Sequence, residues 1–196
     1  MSRHLLSLGA LGLMLVLAGC GGSKSPPRDV DNACSIVSER PAYLRAMKRT
    51  ERNWGVPVPV QMAIIHQESK FDGDAETPFR WELGVIPVGR ISTAYGYSQA
   101  LDGTWDEYRA ATGNRRARRD RIRDATDFMG WYMTQTRDRL GIPLSDARRQ
   151  YLAYHDGWTG YARGTYNSKA WLLRVSSRVA SRAQTYESQL RACGRL

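Results

Sequence analysis

The stretch Ile64-Ile65-His66-Gln67-Glu68-Ser69-Lys70-Phe71 contains a carboxyl group placed to handle a proton. Pro59 suits the first turn of a helix, where its missing N–H would have no partner anyway, and Val60-Gln61-Met62-Ala63-Ile64-Ile65 continues that helix. Glu68 follows Ile64 by four residues and Ile65 by three, so its side chain leaves the helix on their apolar face. Burial there disfavours the ionised form and raises the pKa toward the range of an acid that donates a proton near neutral pH. A surface glutamate ahead of a Ser-Lys loop is the plainer alternative. What the other segments bring to this carboxyl decides between the two.

The histidines supply less. His66-x-Glu68 is half of a metal site, but no His-Glu-x-x-His pattern or cysteine pair completes it, so neither a metal nor a cofactor is expected. His66 reads as a polar residue on the exposed face of its helix. Ser69, His155 and Asp156 are the ingredients of a Ser-His-Asp hydrolase, yet no Gly-x-Ser-x-Gly elbow surrounds the serine.

The elements that must hold Glu68 are mostly helical. Pro41 opens a helix with an apolar stripe of Tyr43, Leu44, Met47 and Trp54, and Gly55-Val56-Pro57-Val58-Pro59 separates it from the Glu68 helix. Between Asp72 and Thr93 the pattern turns irregular. Gly73, Pro78, Gly84, Pro87 and Gly89 punctuate Phe79, Trp81, Leu83, Val85, Ile86, Val88 and Ile91, which predicts a long loop or a small β-ribbon. Thr104-Trp105-Asp106-Glu107 fits a capping box, with Gly113 as the terminator. Asp120 or Asp124 caps a helix through Phe128 and Tyr132 to Gly141, and Ser145 and Asp146 open another through Tyr151 and Tyr154 to Gly157. Ser168 opens the last, with Trp171, Leu172, Val175, Val179 and Tyr186 at helical spacing. A mainly α single domain is expected. The basic run Arg115-Arg116-Ala117-Arg118-Arg119 through Arg123 reads as a solvated loop and helix start, with contact to anionic wall polymer or lipid head groups as the alternative.

At the amino terminus, Arg3 precedes an apolar run from Leu5 to Ala18 that is too short for an ordinary membrane-spanning helix and has the form of a secretory signal. It closes with Leu17-Ala18-Gly19-Cys20, which resembles the lipobox of bacterial lipoproteins. That resemblance implies a signal peptide over 1–19, lipid on Cys20, and a flexible tether over 20–33 that holds a domain of residues 34–196 off the membrane. Acyl chains contribute roughly 0.8 kcal/mol per buried methylene, so the anchor would be close to permanent. Gly21, rather than Asp, after the cysteine suggests the outer membrane, with the domain facing the periplasm. Cys34 and Cys193 are then an even pair in an oxidising compartment and are expected to be bonded. The formal net charge of +10 would suggest nucleic acid inside a cell; outside the cytoplasm it fits peptidoglycan carboxylates and lipid head groups instead.

Three spaced motifs line up: Glu68-Ser69-Lys70-Phe71, Tyr95-Gly96-Tyr97-Ser98-Gln99 and Ala153-Tyr154-His155-Asp156-Gly157. In this order they resemble the glutamate-serine, glycine-leucine-methionine-glutamine and alanine-tyrosine-asparagine motifs of the soluble-type (SLT) lytic transglycosylases, relatives of goose-type lysozyme. The chain departs at Tyr97-Ser98, where Leu-Met is usual, and at His155, where Asn is usual. The resemblance implies a lysozyme-like helical fold, a peptidoglycan glycan strand as substrate, and Glu68 as the catalytic acid. Ser69, Tyr97, Ser98, Gln99, Tyr154 and His155 are the implied substrate contacts, with His155 as a hydrogen-bonding partner replacing Asn. A monomer without nucleic-acid partner is expected. A muramidase of the same fold that uses water, and a wall-binding lipoprotein without activity, are the alternatives.

Overall fold

The computed structural model describes residues 24–83 and 85–196, so the leader and Cys20 lie outside the described residues. Seven α-helices are described: α1 (Ala33–Glu39), α2 (Pro41–Trp54), α3 (Val58–Ser69), α4 (Asp102–Thr112), α5 (Ile122–Leu140), α6 (Ala147–Ala162) and α7 (Ala170–Ala192). A single antiparallel hairpin, β1 (Phe79–Glu82) with β2 (Ile86–Arg90), occupies the punctuated segment after α3. The mainly α, lysozyme-like expectation with a small β-ribbon therefore holds.

The organising element is α3. It is apolar around nearly its whole circumference, and Val58 through His66 are all buried, the signature of a helix enclosed by others rather than laid on a surface. Helices α2, α6 and α7 all pack against it. Its one buried amide, Gln61, donates to the carbonyls of Met47 (3.0 Å) and Val56 (2.8 Å) and so ties the start of α3 to α2. That enclosure corrects the reading of His66. The ring is buried, with Nδ1 3.1 Å from Lys70 Nζ and Nε2 3.4 Å from Asp31, and desolvation lowers its pKa to about 4.

Around α3 the outer helices meet at close quarters. On α5, Gly130 faces α2, and a Cβ there would lie 2.4 Å from the Trp54 ring, so glycine is what lets the two helices approach. Trp105, Tyr108, Phe128, Trp131, Tyr132 and Trp158 form a continuous run of rings between α4, α5 and α6. Cys34 on α1 is disulfide-bonded to Cys193 just beyond α7, as expected from the even pair.

Several helix boundaries differ from the sequence reading for local reasons. Helix α1, capped by the Asn32 side chain on Ser35 N (3.1 Å), has only seven residues, too few for a period to show. Helix α4 starts at Asp102, so Thr104 lies inside its first turn and does not cap it. Asp120 is buried in ion pairs with Lys24 (2.6 Å) and Arg118 (2.5 Å) instead of capping α5. Ser168 donates to Thr165 and leaves the start of α7 uncapped. Gly113 and Gly141 take the left-handed backbone at helix ends as expected, and Asp146 caps α6. Gly157 breaks the helical path where the sequence ended that helix, but the chain resumes and continues to Ala162.

Residues 24–32, expected within a tether, lie along the domain. Lys24 O accepts from Gly73 N (2.7 Å), Lys24 Nζ pairs with Asp74 (3.0 Å), Pro27 is buried, and Val30 O accepts from the Tyr186 hydroxyl.

Candidate active site

Glu68 stands one residue before the end of α3, where the enclosed helix reaches the surface, and is half-buried. Burial pushes its pKa from the ordinary 4.5 up to about 7, and no neighbouring acid is needed to explain the rise. The opposing influence is a hydrogen bond with the Tyr151 hydroxyl, which favours the carboxylate. Tyr151 lies three residues before Tyr154 on α6, so the two rings leave one helix face, and both sense the charge of Glu68. Burial and that charge raise both phenols well above their ordinary range, which keeps them protonated as donors.

Immediately after α3 the chain turns back through left-handed backbone at Lys70 (φ 53°) and Phe71 (φ 64°). The Ser69 hydroxyl closes this end, lying 2.9 Å from Tyr97 O and 3.3 Å from Ile65 O. The loop it meets, Tyr95–Ala100, is held from all sides. Gly96 has φ 75°, and a Cβ there would be 2.4 Å from Arg119 O, so only glycine fits both the angle and the approach. Gln99, itself at φ 49°, donates through Nε2 to Ala75 O and Gly96 O, each at 2.9 Å. Tyr97 is buried with its hydroxyl 3.1 Å from that of Tyr43. Ser98 is also buried, and its carbonyl accepts from the Tyr154 hydroxyl at 2.5 Å. The Tyr154 ring is fixed edge-on against Tyr132, 5.1 Å between centroids.

All three sequence motifs therefore meet at one place. Ser69 binds the second motif, the second motif's Ser98 carbonyl binds the third motif's Tyr154, and Tyr154 and Tyr151 flank Glu68. The polar atoms named for Ser69, Tyr97 and Gln99 are engaged in building the loop. His155 is exposed and packs edge-on against Trp171 of α7 at 5.0 Å, where a hydrogen-bonding partner in place of Asn was expected. Asp156 pairs with Lys169 and accepts from Thr165, away from any Ser-His-Asp arrangement.

Two residues of this site escaped the sequence reading. Tyr151 was visible only as a member of an apolar stripe, although its spacing of three from Tyr154 is the signal that places it beside Glu68. Arg119 lies in the basic run read as solvated. Its guanidinium donates to Thr93 O (3.0 Å) and Ala100 O (2.8 Å) and pairs with Asp102 (2.7 Å), while its carbonyl accepts from Tyr97 N (3.3 Å). Nothing in a run of arginines distinguishes the one that braces a loop.

Among known proteins, the family model described as "Transglycosylase SLT domain" matches residues 8–193. No curated protein matches the chain.

Proposed function

The chain belongs to the transglycosylase SLT-domain family, and from that premise we propose that it cleaves the β-1,4 bond between MurNAc and GlcNAc in peptidoglycan. Protonated Glu68 donates to the glycosidic oxygen as positive charge develops at the MurNAc C1. The resulting carboxylate then takes the proton of the MurNAc 6-hydroxyl, which attacks C1 and leaves a 1,6-anhydro end. The observation that carries this reading is a single acid raised to about 7 by burial, at the point where all three motifs are bonded together. Such an acid is substantially protonated at neutral pH and can also serve as a base once discharged. The three motifs fix no second carboxylate as partner to Glu68, in keeping with the substrate's own N-acetyl group as the stabiliser of the cationic transition state. Tyr151 orients the carboxyl through its hydroxyl, Tyr154 ties its helix to the Ser98 carbonyl beside it, and the loop of Tyr97, Ser98 and Gln99 gives the strand its backing. We place the protein in the bacterial envelope, anchored through lipid on Cys20, in keeping with Leu17-Ala18-Gly19-Cys20.

Mass spectrometry of digested sacculi tests the reaction. Anhydro-ended muropeptides are expected, and Glu68→Gln should reduce their release by about 10²–10⁴-fold, the usual contribution of a general acid, while the fold survives. Reducing ends instead would mean that water replaces the 6-hydroxyl. Unchanged turnover in Glu68→Gln would refute the assignment of the acid.

A further inference from the structure

The β1–β2 hairpin has a composition and an exposure that the proposed reaction does not use. Leu83 at its turn is 90% exposed, Val85 74% and Trp81 57%, and Phe79, Ile86, Val88 and Ile91 are exposed as well. A strand pair of this length normally buries one face, so apolar side chains left outside along its whole length mark a contact surface. From Phe79 to Ile91 no side chain carries a hydroxyl or an amide. The charged groups are Arg80, Glu82 and Arg90, and Arg90 is committed to Glu76 and to Thr77 O (2.7 Å). A glycan strand needs hydrogen-bond partners for its hydroxyls, and the side chains from Leu83 to Ile91 offer none beyond the committed Arg90, the others being Arg80, Glu82 and the Trp81 indole N–H toward the root. A hydrocarbon boundary needs none.

The point where the described chain begins indicates which apolar phase lies near. Lys24 is fastened at the root of the hairpin: its carbonyl accepts from Gly73 N and its ammonium pairs with Asp74, whose carboxylate also receives the Tyr95 hydroxyl at 2.9 Å. The root itself is closed by the Thr77 hydroxyl on Ser92 O (2.7 Å). Only Gly21, Gly22 and Ser23 separate Lys24 from Cys20. Four Cα steps span at most about 14 Å. The strands of the hairpin rise about 3.3 Å per residue, so its tip lies roughly 15 Å from its root. An acyl chain on Cys20 therefore holds the bilayer surface within one hairpin length of that root. Arg45, Arg121 and Arg123 are exposed along one groove with Lys24 and Arg118, which are paired with Asp120, and with Glu39, so the same place keeps an excess of positive charge that an anionic leaflet attracts.

We propose that the Phe79–Ile91 hairpin inserts its apolar tip, Leu83 and Val85 with Trp81, into the headgroup–acyl boundary of the bilayer that anchors Cys20, and so sets the orientation of the Glu68 site relative to that membrane. The proposal rests on the lipid anchor stated above. Lipid alone makes attachment nearly permanent, so the hairpin adds a second point of contact and fixes direction rather than affinity.

The test uses the full-length lipidated protein in vesicles of phosphatidylethanolamine and phosphatidylglycerol, with Leu83→Cys carrying an environment-sensitive fluorophore attached under non-reducing conditions. Flotation with the vesicles, lost in Cys20→Ser, reports the anchor independently of the label. In floating protein, the label is expected to shift to shorter wavelength and to be quenched by lipids brominated high on the acyl chain. Adding Val85→Asp should reverse that shift without detaching the protein, since both positions are exposed and the fold does not depend on them. A floating protein whose label keeps its aqueous emission overturns the hairpin's role and leaves the anchor standing. Flotation that is absent, or equal in Cys20→Ser, overturns the anchor and the proposal with it. A shift produced by sacculi without vesicles, or by raising protein concentration alone, overturns it in favour of a glycan or a second copy.

Discussion

Replacing Glu68 by Gln tests the claim that burial, rather than a neighbouring charge, sets the behaviour of this acid. Folding raises its pKa from 4.5 to about 7. Between those values the native state holds a proton that the unfolded chain has lost, so native stability falls as pH rises through this window and levels off above about 7. At about 1.4 kcal/mol for each tenfold change, the interval corresponds to at most about 3 kcal/mol. Gln copies the protonated carboxyl in shape and stays neutral, so the variant escapes the loss. Below pH 4.5 the two proteins should be equally stable. Above pH 7 Glu68→Gln should be the more stable by up to about 3 kcal/mol, or about 6–12 °C in Tm for a chain of this size.

The assay is urea and thermal unfolding of both proteins across pH 4–9, read as the difference between them so that every other titrating group cancels. The wild-type kcat/KM should fall as pH rises through about 7, the value at which the stability difference levels off, because the proposed reaction starts from the protonated carboxyl of the folded protein. A stability difference that is flat with pH, or a variant less stable than wild type at pH 8, would refute the desolvated acid. An activity loss centred well away from the pH at which the stability difference levels off would detach Glu68 from the reaction.

Three further outcomes follow from the same frame. Tyr151→Phe removes the hydrogen bond that favours the carboxylate, so the alkaline limb of the activity profile should move to higher pH while the fold is retained; a limb that stays put or moves down argues against that contact. Gly96→Ala places a side chain at φ 75° and 2.4 Å from Arg119 O, and should destabilise the protein by about 2–3 kcal/mol in urea, with activity lost even where the protein is folded. Exchanging Cys34 and Cys193 for serine opens a loop with a separation of 159 residues and should reduce stability by at most about 5 kcal/mol, measured as a shift in the urea midpoint, without moving the pH dependence of activity.

How much of this was legible in the sequence follows the range of each signal. Glu68 could be placed on an apolar face because the helix period is local, and the stops at Gly113 and Gly141 could be read because a left-handed helix end is a property of one residue. The hairpin announced itself by alternating turn residues and apolar side chains, although nothing local said that these side chains would stay outside. His66 was misplaced because a helix wrapped on all sides has no exposed face, and only the packing of α2, α6 and α7 around it reveals that. Arg119 and Asp120 depend on partners far along the chain, at Thr93, Ala100 and Lys24, so composition treated them as solvated charge. The Gln99 amide could have faced a sugar or the backbone. The carbonyls of Ala75 and Gly96 answer that, and they meet only once the loop closes.

The proposed reaction asks one side chain to be an acid and then a base, and the arrangement around Glu68 suits both halves. Burial disfavours the carboxylate before the glycosidic bond breaks, when the proton must be available. A glycan strand laid over the site would exclude more water and push in the same direction, so donation is favoured once substrate is seated. After the proton has left, the Tyr151 hydroxyl stabilises the negative charge long enough for it to collect the 6-hydroxyl proton, and the neutral phenol can do this because its own pKa is far above that of Glu68. An acid raised by a neighbouring carboxylate would lack this second half, because the neighbour's charge would oppose the anion throughout. Shifting the pKa by burial and tempering it with one neutral donor lets a single glutamate cycle, and the wild-type instability above pH 7 is the measurable consequence of keeping it there.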